Sequence, residues 1–210
     1  MRPLTIGISG GTGSGKTRFT KELLKRCDKD NVICISQDSY YKDLSKLSYE
    51  ERCKNNFDNP RSIDFSMLLS DLSTLLKNEE VYIPIYDFTT HTRKEKKELL
   101  APKPIIILEG IFSLFDEKIR NLLEKKIYVD TPADIRILRR VKRDIKKRGR
   151  SIESIVKQYT ETVRPMHKKF IAPVKIYADI IVPNGGKNLE AIDIINTQLL
   201  PIIRERIKDA

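Results

Sequence analysis

Five short apolar runs are spread along the chain and predict five buried β-strands. Each run is continuous rather than alternating, which is typical of strands covered on both faces of a sheet. The runs are Leu4–Ile8, Val32–Ile35, Ile105–Leu108, Ile127–Val129 and Ile180–Val182.

Stretches with helical spacing separate most of these strands. They are Thr17–Lys29, Ile63–Leu76, Pro132–Lys147 and Asn188–Lys208. Strands that alternate with helices predict an α/β fold, in which a doubly wound parallel sheet is flanked by helices. Ligands of such sheets collect at the carboxyl ends of the strands, so polar residues at that edge are the candidates for chemistry.

The stretch from Val81 to Arg93 has a different pattern, because it alternates and is rich in β-forming residues. This pattern predicts a small β-hairpin insertion, at about residues 80–100, over the edge of the sheet. Aromatic residues there could stack on a base or a sugar, and Asp58 could bind vicinal hydroxyl groups. The side chains of Phe57, Tyr86 and Phe88 could equally fill a small satellite core, and their spacing does not decide between the two interpretations.

The composition is that of one globular domain spanning residues 1–210, with 40% hydrophobic residues. No stretch approaches the roughly 18 consecutive apolar residues of a membrane span. The first apolar run also begins too early to leave room for a signal peptide, so we expect a cytoplasmic protein. Cys27, Cys34 and Cys53 lack metal-ligand spacing and are expected to have no chemical role.

The chain is basic, with a formal net charge of +11, and nine of the fifteen residues 136–150 are Lys or Arg. One helical face there is cationic: Arg136, Arg140, Arg143, Lys147 and Arg150. Another face is apolar and predicted to pack: Ile137, Leu138, Val141 and Ile145. Alone, this pattern is typical of a solvated face or a nucleic-acid patch; a phosphate site in the same chain would favour a lid over a small anion.

Such a phosphate site is indicated by the segment GISGGTGSGKT, which follows the first apolar run. It matches G-x-x-x-x-G-K-[ST], the P-loop pattern, in which glycines let backbone N–H groups surround an anion at a helix N-terminus. Lys16 is expected to reach the outer phosphates, and the Thr17 hydroxyl to bind Mg²⁺. The predicted ATP-binding residues are Gly10, Gly11, Thr12, Gly13, Ser14, Gly15, Lys16 and Thr17. An ordinary glycine-rich turn would not need the closing Lys-Thr pair.

Two carboxylates follow strands that should lie near this loop. Asp38 comes after the second predicted strand, and Glu109 comes directly after the third. In a P-loop protein such carboxylates hold Mg²⁺ or accept the proton of the attacking hydroxyl group. A helix N-cap for Asp38 and a turn acid for Glu109 are the alternatives, but two such placements in one sheet favour a functional site.

An ordered set of motifs makes almost the whole chain resemble the bacterial uridine kinases, also called uridine–cytidine kinases, of the P-loop phosphoribulokinase/uridine kinase superfamily. The motifs are GGTGSGKT, QDSYYKDLS, NFDNP, PIYDFTTHTR, IILEGI, VDTPADIRILRRVKRDIKKRGRS and QYTETVRPMHKKFIAPVKIYADIIVPNGGKN. The resemblance implies transfer of the γ-phosphate of ATP or GTP to the 5′-hydroxyl of uridine or cytidine, giving UMP or CMP in pyrimidine salvage. It also implies a homo-oligomer, typically a tetramer, that uses Mg²⁺ and binds neither nucleic acid nor membranes.

The resemblance also implies roles for single residues. Asp38 would be the catalytic base, assisted by Lys16 and Arg143, and the metal ligands would be Thr17, Asp38 and Glu109. The nucleoside site would comprise Asp58, Tyr86, Phe88, His91, Arg140, Arg150, Gln158 and Tyr41. A helical lid, at about residues 136–152, would close over the donor phosphates with Arg140, Arg143 and Arg148. Lys187 stands where some relatives have an acidic residue, so no role is transferred to it.

Two other functions are compatible with parts of the sequence. Phosphoribulokinase and pantothenate kinase share the P-loop and the sheet, but YDFTTHTR beside NFDNP indicates a pyrimidine nucleoside as acceptor. A nucleic-acid-binding module with a regulatory nucleotide site would suit the net charge. Such a module would show steep salt dependence and no turnover of free nucleosides, and no basic stretch with interleaved aromatic residues supports it.

Overall fold

The computed structural model describes residues 2–25, 27, 29–185 and 188–208. Lys187 lies outside these ranges, and the side chain of Lys147 is likewise not described. The strands are β1 Leu4–Ser9, β2 Val32–Ser36, β3 Val81–Asp87, β4 Thr92–Leu100, β5 Ile105–Glu109, β6 Lys125–Asp130 and β7 Ile180–Pro183. Each of the five predicted apolar runs lies within one strand, so this part of the prediction is confirmed.

Five strands form one parallel sheet in the order β2-β5-β1-β6-β7. The other two, β3 and β4, pair antiparallel as a hairpin, as predicted for residues of about 80–100. The strand order places β1 at the centre with β5 and β6 beside it. The segments that follow β1, β2 and β5 therefore meet at one edge of the sheet.

The helices are α1 Lys16–Leu24, α2 Tyr49–Cys53, α3 Phe65–Leu75, α4 Glu117–Leu122, α5 Ala133–Arg148, α6 Ile152–Gln158, α7 Arg164–Met166 and α8 Leu189–Lys208. Two π-helical turns, at Tyr159–Val163 and His167–Ile171, extend α6 and α7 into a nearly continuous helical segment. Short 3₁₀ turns occur at Lys29–Asn31, Gln37–Tyr40, Pro60–Ser62 and Pro173–Tyr177. No helix in the described ranges has the length and apolar character needed to cross a membrane.

Two helix boundaries differ from the sequence prediction, at the end of α1 and at the start of α3. Helix α1 ends at Leu24, earlier than predicted, and a 3₁₀ turn at Lys29–Asn31 leads the chain into β2. Helix α3 begins at Phe65 because the Asp64 carboxylate accepts a hydrogen bond from the backbone N–H of Met67 at 3.1 Å. This side-chain cap fixes the start of the helix.

Two apolar layers cover the two faces of the sheet. Alternate residues of β5 face opposite layers, as Ile105 and Ile107 pack with α1 and α8 while Ile106 and Leu108 pack with α3. Burial on both faces is the reason that the strand sequences read as continuous apolar runs. The doubly wound α/β fold predicted from the sequence is therefore confirmed.

The exposure of residues on helix α5 differs in part from the sequence prediction. Leu138 and Ile145 are exposed, whereas Arg136 and Arg140 are only 6% and 5% exposed. The prediction that the apolar face packs was wrong at these two positions. The cationic face is buried instead because it lies against the polar loop that follows β1, where Arg140 donates a hydrogen bond to the Thr12 hydroxyl at 3.0 Å.

Candidate active site

The loop between β1 and α1 has a backbone that only glycine fits readily. Gly13 and Gly15 adopt φ angles of 77° and 93°, in the left-handed region that disfavours side chains. A Cβ atom at Gly13 would also lie 2.4 Å from the carbonyl oxygen of Arg136. The loop therefore places backbone N–H groups at the N-terminus of α1, which is the arrangement that binds phosphate.

Glu109 lies beside this loop because β5 pairs with β1, and Ile8 is opposite Glu109 in the register. The Lys16 ammonium is 3.5 Å from one carboxylate oxygen of Glu109. The Thr17 hydroxyl is 3.3 Å from each of the two oxygens and donates to the carboxylate. Lys16 and Thr17 thus form one polar cluster with Glu109, which is distant from them in the sequence.

The donors in this cluster fit Mg²⁺. The Thr17 hydroxyl and the Glu109 carboxylate supply hard oxygen ligands, and Asp38 is the third predicted ligand. The described part of the chain holds no cluster of three or more His, Cys, Asp and Glu residues suited to a metal. Mg²⁺ is usually held by one or two carboxylates together with substrate phosphates and water rather than by an all-protein cage.

Asp38 lies on the 3₁₀ turn Gln37–Tyr40, directly after β2. It is not the N-cap residue of this turn, since Ser36 occupies that position. Burial raises the pKa of the Asp38 carboxyl above its ordinary value; Lys16 opposes this effect and Glu109 reinforces it. Asp38 therefore lies within electrostatic reach of the phosphate-loop cluster.

Gln37 holds the Asp38 turn against the sheet edge, and the sequence analysis did not identify it. Its side chain is fully buried, and its amide oxygen accepts a hydrogen bond from the backbone N–H of Phe112 at 2.8 Å. A Cβ at Gly110 would lie 2.4 Å from the Gln37 side chain. The glycine after Glu109 is thus required for close packing, which the motif EG could have indicated.

Asp58 is buried, with 8% of its surface exposed. Its backbone N–H donates to the Asn56 side chain at 3.1 Å, which shapes the NFDNP loop. Burial raises the pKa of its carboxyl group, whereas the charges of Arg140 and Lys16 oppose this increase. The Asp58 carboxyl group therefore lies within electrostatic reach of the P-loop lysine and of the arginines of α5.

Asp144 organises the cationic face of α5, and the sequence analysis missed it. Its side chain is fully buried. Its carboxylate lies near four guanidinium groups: Arg143 at 2.8 Å, Arg140 at 3.6 Å, Arg148 at 3.7 Å and Arg150 at 4.0 Å. Burial alone would raise the pKa of Asp144, but the hydrogen bond from Arg143 and the surrounding arginines lower it. The carboxylate is therefore ionised and gathers the arginines of the predicted lid.

Gln158 connects two of these arginines from helix α6. Its amide oxygen accepts hydrogen bonds from Arg140 at 2.9 Å and from Arg150 at 2.6 Å. Arg140 also contacts the phosphate loop through Thr12. The predicted nucleoside residues Arg140, Arg150 and Gln158 thus form one network, which joins the lid to the phosphate loop.

The hairpin and the NFDNP loop together form an aromatic cluster. The Phe57 ring stacks on His91, with centroids 4.8 Å apart and planes at 24°, and meets Tyr41 edge-on at 5.2 Å. Tyr86 lies 5.3 Å from Tyr41 and 5.3 Å from Phe88. The structure brings together all four aromatic residues predicted for the nucleoside site and adds Phe57 at their centre.

This cluster has both packed and open parts. Tyr41 and Tyr86 are 7% exposed, whereas Phe88 is 54% exposed. The buried hydroxyl of Tyr86 has no hydrogen-bond partner within the described ranges. Burial lowers the pKa of His91, and the charges of Arg52 and Arg148 lower it further, so its imidazole is neutral at pH 7. The arrangement therefore offers aromatic stacking surfaces, with the unpaired Tyr86 hydroxyl and the neutral His91 imidazole as polar groups beside them.

Comparison with known proteins agrees with this geometry. A sequence model of the phosphoribulokinase / uridine kinase family matches residues 5–191. The uridine kinase of Halalkalibacterium halodurans is 49% identical over 205 residues, which cover 98% of this chain and 97% of that protein. The uridine kinase of Clostridium tetani is 55% identical over 194 residues, which cover 92% of this chain and 93% of that protein.

The fold is also found in a solved structure of low sequence identity. Phosphoribulokinase from Rhodobacter spheroides superimposes with a TM-score of 0.67 at 13% identity, over 87% of this chain and 70% of that chain. At this identity the likeness concerns the fold alone. The family match over most of the chain, together with the phosphate loop and the carboxylates beside it, shows that the protein is a P-loop kinase of the phosphoribulokinase / uridine kinase family.

Proposed function

We propose that this protein transfers the γ-phosphate of ATP or GTP to the 5′-hydroxyl group of uridine, and of cytidine, to give UMP and CMP for pyrimidine salvage. The relatives that are half identical over nearly the whole chain are named uridine kinases. The aromatic cluster beside Asp58 supports a nucleoside as the acceptor, because it offers stacking surfaces next to a buried carboxylate.

The observation that carries the proposal is that Asp38 lies on the turn directly after β2, whose last residue, Ser36, is opposite Glu109 in the sheet. Its carboxyl group is under the influence of Lys16 and Glu109 on the phosphate side and of Asp58 on the acceptor side. A base that takes the proton of an attacking hydroxyl must lie where donor and acceptor meet. Asp38 is the carboxylate that meets this requirement.

Phosphoryl transfer asks the protein mainly to align the reactants and to neutralise charge on the transferring group. Bound Mg²⁺ would supply additional positive charge at the donor phosphates, held by Thr17, Glu109 and Asp38. Lys16 neutralises phosphate charge from the loop side, and the arginines gathered around Asp144 do so from the lid side. Closure of the lid would also keep water from competing with the nucleoside hydroxyl.

In the acceptor half, Asp58 accepts hydrogen bonds from the ribose 2′- and 3′-hydroxyl groups, with Arg150 beside it. Tyr41, Tyr86, Phe88 and His91 surround the pyrimidine, and Phe57 supports the His91 ring from behind. Arg140 and Gln158 close this half of the site, since they are already joined by a hydrogen bond.

A coupled assay with a nucleoside panel tests the proposal. Uridine, cytidine, adenosine and guanosine are each offered with ATP and with GTP, and formation of ADP or GDP is recorded. We expect turnover with uridine and cytidine and little with the purine nucleosides. Absence of turnover with every nucleoside, alongside salt-sensitive binding of RNA, would favour the nucleic-acid-binding alternative.

The ribose contact predicts that 2′-deoxyuridine is a poor substrate. Without the 2′-hydroxyl group the buried Asp58 carboxylate loses a hydrogen bond, which costs about 1–3 kcal/mol. The ratio of kcat/KM for uridine and deoxyuridine measures this effect. In Asp58→Ala both values should fall and the ratio should shrink towards one; an unchanged ratio would place the ribose contact on another residue.

The lid arginines are expected to affect rate more than nucleoside affinity. Arg143→Gln should lower kcat by about 10²-fold or more. The reason is that negative charge spreads over the oxygens of the transferring phosphoryl group in the transition state, where a lid arginine stabilises it most. Lys142→Gln, which removes an exposed charge next to it, serves as the matched control and should keep normal turnover. Normal kcat in Arg143→Gln, with weaker RNA binding, would contradict the lid mechanism.

A further inference from the structure

Arg136 is a buried cation that the mechanism above does not use. It is 6% exposed, and its Nε–H donates to the carbonyl oxygen of Thr131 at 3.0 Å. Its Nη1 atom is buried without a hydrogen-bond partner, and it forms no ion pair with a carboxylate in the described part of the chain. A buried guanidinium without a nearby anion is costly, so an anionic ligand within electrostatic reach would stabilise it.

Arg136 contacts the phosphate loop at two of its glycines. A Cβ atom at Gly11 would lie 2.8 Å from Nη1 of Arg136, and a Cβ atom at Gly13 would lie 2.4 Å from its carbonyl oxygen. The guanidinium therefore lies against the loop, on the side to which a side chain at position 11 would point.

His167 covers the same face of the loop but adds no charge. A Cβ atom at Gly11 would lie 2.8 Å from its Nε2 atom. Burial, followed by the charge of Arg136, lowers the pKa of His167 to about 4. The imidazole is therefore neutral near pH 7, and Arg136 supplies the positive charge behind Gly11.

We propose that Arg136 is a nucleotide-positioning residue, whose buried charge acts through the loop backbone on the phosphates of a nucleoside di- or triphosphate. This inference rests on the proposed function, because it requires a donor nucleotide at the phosphate loop. Attraction between charges is strong at short range where water is excluded. Arg136 thus strengthens donor binding without touching the acceptor nucleoside.

Calorimetric titration with ADP in the presence of Mg²⁺ tests this role in Arg136→Gln and Arg136→Lys. We expect ADP to bind about tenfold or more weakly to Arg136→Gln and within about threefold of wild type to Arg136→Lys, which keeps the charge. The dissociation constant of uridine, measured without nucleotide, should stay unchanged in both. Lys142→Gln removes an exposed charge from the same helix and should bind ADP normally.

Two results would overturn the inference. Wild-type ADP affinity in Arg136→Gln would show that the charge does not act on the donor, and an equal loss in both variants would indicate packing alone. If Arg136→Gln does not fold in a thermal melt, Arg136→Lys decides by itself, because a tenfold loss of ADP affinity there contradicts a role based on charge. Failure of the wild-type protein to bind ADP would instead count against the proposed function.

Discussion

Lys16→Ala is expected to lower kcat for uridine phosphorylation by at least about 10³-fold while the protein stays folded. The ammonium group lies at the start of α1, 3.5 Å from Glu109, and is the P-loop cation available to the outer phosphates. Its loss removes charge stabilisation where negative charge spreads in the transition state, an effect that is among the largest single contributions in phosphoryl transfer. Single-turnover kinetics with saturating ATP and uridine measure the change directly.

The fold should survive because Lys16 is not part of either apolar layer of the core. Thermal melts of the free protein should therefore change little. Lys25→Ala is the matched control, since Lys25 is exposed and pairs with Glu22 on the same segment, away from the loop. A rate within tenfold of wild type in Lys16→Ala would contradict the phosphate-loop mechanism.

The parallel sheet and the phosphate loop could be predicted from the sequence because their causes are local. Strands buried on both faces must be apolar throughout, as in Ile105–Leu108, and a loop that surrounds phosphate must contain glycines at fixed positions. The carboxylates Asp38 and Glu109 followed from the same reasoning, because parallel strands end at one edge. Their roles as base and metal ligand stay predictions.

Asp144 and Phe57 could not be assigned in this way because their positions depend on tertiary contacts. In the sequence, Asp144 is one acidic residue within residues 136–150, which contain nine basic residues, and this pattern is typical of a solvated helix face. Its burial follows from the packing of α5 against the phosphate loop, which also reverses the exposure of Leu138. Phe57 gains its place only when the hairpin brings His91 beside it.

The irregular helical segment after the lid could not be predicted from the sequence pattern either. Its π-helical turns, Tyr159–Val163 and His167–Ile171, have no clear hydrophobic period of their own. Wide turns of this kind are rare and often occur at functional sites. Here the second turn begins at His167, whose ring lies against Gly11 of the phosphate loop.

Asp38→Asn is expected to lower kcat by at least 10²-fold, about the contribution of a general base. Uridine affinity should change much less, because Asp58 and the aromatic cluster carry nucleoside binding in the proposed mechanism. Equilibrium binding of uridine and single-turnover rates separate the two effects. Asp134→Asn, an exposed position in the first turn of α5, makes the same chemical change and should keep normal turnover.

The pH dependence of the wild-type rate provides the sharper test of Asp38. Burial, reinforced by Glu109 and opposed by Lys16, raises its pKa, so the carboxyl group keeps its proton to a higher pH than an ordinary aspartic acid. The base form is present above this pKa and is lost as the pH falls through it, so kcat/KM, which reports groups of the free enzyme, should decline on the acid side at a pH above the usual aspartate range. This acid limb should be absent from the residual activity of Asp38→Asn. If Asp38→Asn kept the same acid limb, Asp38 would not be the base. If the variant lost uridine binding while its rate at saturating uridine stayed normal, Asp38 would be a substrate ligand instead.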